Sequence, residues 1–384
     1  MGLPEDKLPL PKGWMRTFSN SQKRYYYSHS ETKHNQWHFP TASEANDPWM
    51  AKKRAEKNYG KQSSSASNQQ RPAKKQRLDT SSTAAMSASV DALLEVADTT
   101  SVAIIVPFRD LHVEQKRSEH LNKFVPHMIR FLSNLKQQRK ISDFHIYIVE
   151  QSDDQRKFNR GKLLNIGFDV ARKYGKQTSN SKNGRSKPVP HDVFIFHDVD
   201  LLPSQQLNEA YSKFPTVPHH IARCWDRYSN NPKYFGGIVG FSSSDYKRIN
   251  GYPNTFWGWG GEDDELQLRC NALGIQWDYP KLPKSNSGVP PITDLEDMTL
   301  KEKLSFLKQH REWKCMVKWE ALEEHEKNWK TNGLADLQYS TLKKTPLDSK
   351  DPSLAKATKI TVDVKLNPNN HWANDKCGVE YRGS

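Results

Sequence analysis

Three apolar runs constrain this chain more than any other feature: residues 102–107 (VAIIVP), 144–149 (FHIYIV) and 193–196 (VFIF). Each is continuous rather than alternating in polarity, so each reads as a strand covered on both faces. Between the first two, Leu121, Phe124, Val125, Met128, Ile129 and Leu132 recur at helical spacing, with Pro126 opening or kinking the helix. Between the second and third, Leu164, Phe168 and Ala171 repeat the pattern, which stops before Gly175. Strand, helix, strand, helix, strand predicts a right-handed parallel α/β sheet. Neither GxGxxG nor a P-loop follows the first run, which disfavours an ordinary dinucleotide fold and an NTPase.

The third run leads into Asp198 and Asp200, within HDVDLLP at 197–203. Ligands of open α/β sheets bind beyond the carboxyl ends of strands, which is where this pair falls. In extended backbone, side chains two apart face the same way, so both carboxylates are predicted on one side. Buried carboxylates are costly unless paired or metal-bound, and hard oxygen ligands suit Mn2+ or Mg2+. The tripeptide alone fits either a cation site or a solvated strand-to-loop junction.

A second acidic cluster lies in FWGWGGEDDEL at 256–266. Its glycines allow turns that bring indoles beside a ligand, and its acids suit the positive end of a helix. Crowded carboxylates repel, which raises the proton affinity of one of them and suits a general base.

Composition divides the chain into residues 8–41, rich in aromatics, a polar linker at 42–98, and a main domain at 99–384. The hydrophobic fraction is 35% and the net charge +14. Much of the surplus lies in the linker, where residues 51–78 hold nine Lys or Arg against one Glu. Residues 72–79 (PAKKQRLD) resemble a nuclear import signal or form a solvated basic tether. The four cysteines show no CxxC or metal-finger spacing. Neither a signal-peptide core nor a run of eighteen apolar residues occurs, so the expectation is a cytoplasmic or nuclear protein without a transmembrane segment. Nucleic acid is not an expected partner.

In the aromatic segment, Trp14 and Trp37 bracket Tyr25, Tyr26, Tyr27 and His29, and Pro40 closes it. This resembles a WW domain, a small all-β module. Strand alternation predicts Trp14, Tyr26 and Pro40 packed on one face and Tyr25, Tyr27, His29 and Trp37 on the other. The resemblance implies that the second face binds a proline-rich peptide.

In the main domain, VPFRD at 106–110, FNRGKLLNIGF at 158–168, FHDVDLLP at 196–203, YFGGIVGFS at 234–242 and WGWGGEDDE at 257–265 occur in that order. They resemble the β-1,4-galactosyltransferase family, above all its xylose-acceptor branch. The resemblance implies a Rossmann-type, glycosyltransferase A-like fold that moves galactose from UDP-galactose to a xylose or N-acetylglucosamine type acceptor on a glycan or glycoside, inverting the anomeric carbon. It implies donor contacts from Pro107, Phe108, Arg109, Phe158, Arg160, Asp198, Val199, Tyr234 and Trp257. Acceptor contacts would come from Trp259, Gly260, Gly261, Glu262 and Asp264, with Asp263 as the base. Asp200 would bind Mn2+, or Mg2+. Where the xylose-acceptor branch completes its metal site with HxH followed by Asp, this chain reads Asp294-Leu295-Glu296-Asp297, which makes Asp294 and Glu296 the candidate further ligands. The resemblance also implies the Golgi, if family precedent overrides the cytoplasmic or nuclear expectation. The alternative function is a noncatalytic WW adaptor that retains a nucleotide-sugar-binding fold.

Overall fold

The computed structural model describes residues 10–19, 24–30, 35–36, 100–173, 191–225, 227, 231, 234–282, 288–310, 313–351 and 354–366. Contacts divide the chain into two compact units, residues 1–80 and 81–384.

In the first unit, β1 (Trp14–Ser19), β2 (Arg24–His29) and β3 (Asn35–Gln36) form an antiparallel sheet in that order. Trp14 pairs with His29, Arg16 with Tyr27 and Phe18 with Tyr25. Directly paired residues share a face, so Trp14 lies on the face of Tyr25, Tyr27 and His29 rather than opposite it. The Trp14 and His29 rings meet edge to face at 5.3 Å, and Trp14 clusters with Tyr27 and Leu10. Tyr27 and His29 are therefore buried, while Tyr25 stays 36% exposed. This corrects the assignment of Tyr27 and His29 to an open peptide-binding face. Trp37, Pro40 and the linker lie outside the described residues.

The second unit is built on a seven-stranded sheet. In chain order its strands are β4 (Ser101–Phe108), β5 (Asp143–Gln151), β6 (Val193–His197), β8 (His219–His220), β9 (Ile238–Ser242), β11 (Ser340–Pro346) and β12 (Ala357–Asp363). The spatial order is β11-β12-β5-β4-β6-β9-β8. Pairs β12–β5, β5–β4 and β4–β6 are parallel; β11–β12, β6–β9 and β9–β8 are antiparallel. The sheet is thus mixed, and the expectation of a parallel sheet holds only for its centre. The edge strands carry short or polar sequences that give no long apolar run.

Helices α1 (Arg117–Gln137) and α2 (Arg160–Lys173) cover opposite faces. Ile104 and Val106 of β4 join the cluster containing Phe124, Met128 and Leu132 of α1, while Ala103 and Ile105 join that of Leu163, Leu164 and Phe168 on α2. Alternating residues thus meet two different layers, which is why the run is apolar throughout. Burying each large apolar side chain contributes about 1.5–3 kcal/mol. Pro126 lies inside α1 rather than opening it. At Gly167, a Cβ would overlap Ile105, so glycine permits α2 to approach β4 closely.

Two further elements frame the site. Strand β7 (Leu201–Pro203) pairs antiparallel with β10 (Ile292–Asp294), setting Asp294 opposite Leu201. Helix α3 (Glu262–Ala272) follows the Trp-Gly loop, and α4 (Leu300–Gln309) starts with a capping box between Thr299 and Glu302.

Candidate active site

A cleft of about 300 Å³ opens at the carboxyl ends of β4 and β6. Pro107, Phe108 and Arg109 enter it from the end of β4, Phe158 and Arg160 from the start of α2, and Asp198, Val199 and Asp200 from the end of β6. Tyr234, Trp259, Gly260, Gly261, Glu262, Asp263, Asp264 and Glu296 complete the predicted set found there.

Buried amides fix the Trp-Gly loop against α2. Asn159 Nδ2 donates to the Asn254 carbonyl at 2.8 Å, and Asn165 Nδ2 donates to the Tyr252 carbonyl at 2.8 Å. Leaving such buried groups unpaired costs about 1–3 kcal/mol each, so the asparagines of the FNRGKLLN motif have a structural duty. The loop then needs left-handed backbone at Gly258, Gly260 and Gly261, with φ of 91°, 101° and 108°. From the other side residues 313–315 pair with it: Trp259 N donates to the Trp313 carbonyl at 2.7 Å, and Cys315 N to the Trp259 carbonyl at 3.0 Å.

The acids of α3 occupy its first turn, where the helix dipole favours them. Arg160 ties them to β6: its Nε donates to Asp198 at 2.8 Å and its Nη1 to Asp263 at 2.8 Å. Burial pushes the Asp263 carboxyl well above the usual range; Arg160 opposes that shift, and the charges of Glu262 and Asp198 reinforce it. Asp198 is raised to about 6 by burial, with Arg160 opposing and Asp200 adding to the rise. Lys318 Nζ meets Asp264 at 2.6 Å.

At the other end, the β7–β10 pairing brings Asp294 beside Asp200, and Leu295 N donates to the Asp200 carbonyl at 2.7 Å. Ligand atoms of Asp200, Asp294 and Glu296 lie within 4.8 Å of one another, an all-oxygen donor set that suits a hard divalent cation. Asp200 accepts from Arg117 Nη1 at 2.7 Å, and Arg227 reaches both Asp294 and Glu296. Burial raises Asp294 to about 6, against Arg227 and with Asp200. Burial would raise Glu296 too, but Arg117 and Lys303 outweigh it and hold this carboxyl well below its usual range.

Two expectations need correction. Residues 198–200 form a turn, with Leu201 N directed to the Asp198 carbonyl at 3.4 Å, so strand alternation does not apply. Asp198 faces Arg160 and Asp200 faces Arg117. Trp257 is only 1% exposed and packs in the apolar core, away from the cleft lining, so it is no donor contact in this arrangement. Sequence reasoning also missed Arg117, Lys157, Arg227, Lys303, Trp313 and Lys318, all of which line the cleft. Only their charge or aromatic character could have signalled them, and that signal is shared by many exposed residues.

An α/β sheet with acids at the end of a central strand and a tryptophan-glycine-acid loop across its carboxyl edge defines a nucleotide-sugar-binding, glycosyltransferase A-like domain. The family described as "N-terminal region of glycosyl transferase group 7" matches residues 89–212, and "N-terminal domain of galactosyltransferase" matches residues 216–288. Human β-1,4-galactosyltransferase 6 is 36% identical over 183 residues, covering 47% of this chain and 41% of that protein. Mouse β-1,4-galactosyltransferase 1 is 38% identical over 182 residues, covering 47% and 39%. The catalytic domain of Drosophila β-1,4-galactosyltransferase 7, solved with xylobiose, superposes with a TM-score of 0.52 at 27% identity, covering 72% of this chain and 99% of that one. A mutant of that enzyme was solved with manganese, UDP-Gal and xylobiose. The chain belongs to the β-1,4-galactosyltransferase family. It spans about two-fifths of the length of the curated relatives it matches.

This membership overturns the cytoplasmic or nuclear placement, since β-1,4-galactosyltransferases are Golgi enzymes. The basic cluster behind that placement lies outside the described residues. No helix among the described residues is long and apolar enough to cross a membrane.

Proposed function

We propose that the protein transfers galactose from UDP-galactose to a hydroxyl of a xylose or N-acetylglucosamine type acceptor, with inversion and with a divalent metal, Mn2+ or Mg2+. The observation that carries this reading is the convergence of Asp263, Asp200 and Glu296 on one cleft lined by Arg109 and Arg160, with Asp294 grouped beside Asp200 and Glu296.

In this reading Pro107, Phe108, Arg109, Phe158 and Val199 hold the nucleotide, while Asp198 fixes Arg160 beside the diphosphate. Guanidinium forks suit phosphate oxygens because they donate several hydrogen bonds in one plane. Tyr234 bounds the sugar pocket. Asp200, Asp294 and Glu296 would hold the metal. When bound, it supplies positive charge against the negative charge that develops on the departing UDP. Trp259 stacks the acceptor, Gly260 and Gly261 keep the loop backbone close to it, and Glu262 and Asp264 accept its hydroxyl protons in hydrogen bonds. Asp263 takes the proton of the attacking hydroxyl. Its raised proton affinity is what a base needs in order to keep that proton.

The amino-terminal sheet would serve as a WW-type module at residues 8–41 that brings the enzyme to proline-rich partners, with Tyr25 as its accessible aromatic contact. Residues 42–98 would act as the linker and 99–384 as the catalytic domain.

The experiment is UDP release from UDP-galactose, with and without acceptor glycosides and Mn2+, by the wild type, Asp200→Asn and Asp263→Asn. Metal-dependent, acceptor-stimulated release by the wild type alone is expected. Equal turnover in all three leaves the noncatalytic adaptor as the better reading.

A further inference from the structure

Three cations converge on one carboxylate at the metal-competent end of the cleft. Glu296 accepts from Arg117 Nη2 at 2.7 Å, from Arg227 Nη1 at 2.8 Å, and from Lys303 Nζ through both oxygens at 2.7 and 2.9 Å. Arg117 also binds Asp200, and Arg227 also binds Asp294. The formal charges of these three acids and three bases cancel. None of the six side chains is more than 18% exposed, so water screens them poorly.

A neutral cluster gives a diphosphate no net attraction. A divalent ion on the three acids would leave the cluster with two surplus positive charges, and the diphosphate of a nucleotide sugar carries two negative ones. Some cation must then leave its carboxylate, and the structure distinguishes the three. Arg117 and Arg227 are each held between two carboxylates. Lys303 enters from α4, lines the cleft and is paired with Glu296. Its ammonium on a flexible four-carbon stem can turn to a new oxygen where a planar fork cannot.

We propose that Lys303 is a donor-binding residue that exchanges partners, holding Glu296 in the metal-free protein and a phosphate oxygen of the nucleotide sugar once a divalent ion occupies that carboxylate. The proposal rests on the metal-dependent reading given above and adds to it a residue that competes with the ion and cooperates with the donor. Two binding constants of opposite sign test it, without turnover.

The full 384-residue chain and Lys303→Met are titrated with Mn2+ alone, followed by water-proton relaxation, and with UDP at saturating Mn2+, followed by calorimetry. Lys303→Met is expected to bind Mn2+ about fivefold more tightly, because a competitor of the ion is gone. It is expected to bind UDP about tenfold more weakly, because a charge-assisted hydrogen bond is lost. Lys303→Gln, which keeps a polar end of similar reach, should show both changes in the same directions and covers the case in which Lys303→Met does not fold. Unchanged affinities in the variants overturn the partner exchange while leaving the metal-dependent reading intact. Weakening of both Mn2+ and UDP also overturns it, since Lys303 would then only scaffold Glu296. A wild type that binds no Mn2+ removes the metal-dependent reading and the exchange together.

Discussion

The two acidic ends of the cleft use the same residue types and reach opposite electrostatic outcomes. Around Asp263, the acids Asp198, Glu262 and Asp264 crowd together, and Arg160 is the guanidinium shared by Asp198, Glu262 and Asp263. Burial there wins, and Asp263 holds its proton far more tightly than a free carboxyl. Around Glu296 burial also acts, but Arg117, Arg227 and Lys303 outweigh it. The cations packed around each buried carboxylate therefore decide its charge: Glu296 is held ionised, Asp263 is raised as a base requires, and Asp294, where burial outweighs Arg227, is raised to about 6.

The strongest way to break this contrast is to neutralise the proposed base. Asp263→Asn is expected to lower transfer about 10³-fold, near the middle of the general-base range, while UDP and Mn2+ binding persist. Asp264→Asn, which removes the partner of Lys318, should cost far less. Comparable losses in steady-state assays would end the distinction between the two acids.

The opposite end responds through stability. Glu296→Gln strands three cations on two remaining acids, and urea denaturation should show a loss of about 3 kcal/mol, as for a broken buried ion pair. An unchanged midpoint would mean that solvent screens the cluster after all.

A pH profile sharpens the comparison. Because the Asp263 carboxyl is raised, turnover should climb as pH rises and this acid ionises. Arg160 opposes the rise, so Arg160→Gln should move that limb to still higher pH, apart from any loss in overall rate. A limb that moves down or stays in place contradicts the assignment.

Behind the cleft lining, burial lowers His145, His191, His197 and His220 to about 4. Between about 6.5 and 4 the unfolded chain takes up protons on these groups and the native protein does not, so stability should fall as pH falls. Each fully titrating histidine contributes a slope of about 1.4 kcal/mol per pH unit. Asp198 and Asp294, raised to about 6, and Asp263, also raised, act in the opposite sense across this window but are outnumbered by the four histidines. Thermal melts over this range should show the net loss. The smallest effect on transfer is expected from Tyr25→Ala, which should weaken a proline-rich peptide measured by fluorescence titration and leave free-sugar transfer unchanged.

Much of the catalytic unit was legible in the chain itself. The apolar runs that became β4, β5 and β6 and the spacings that became α1 and α2 depend on local patterns repeated over many residues. Asp198 and Asp200 were legible because two acids at the end of an apolar strand stand out locally, whereas Asp263 was singled out of its acidic cluster only through the family pattern. Asp294 and Glu296 were found only through the family pattern, since their approach to Asp200 depends on the β7–β10 pairing across about ninety residues. Arg117, Arg227 and Lys303 were missed because nothing local separates them from the other basic residues of a chain that carries 58. Trp257 was misjudged for the converse reason: two tryptophans one residue apart look alike in sequence, yet one is buried and the other is 42% exposed.

The sequence alone determined the central layers of the catalytic unit and the chemistry available at the strand ends, because hydrophobic periodicity and residue type act locally. Tertiary structure decided which acids share a counterion, which indole faces the cleft and which edge strands run antiparallel. Those outcomes depend on contacts between segments far apart in the chain, where the energy of a charge or ring is set by what packs against it.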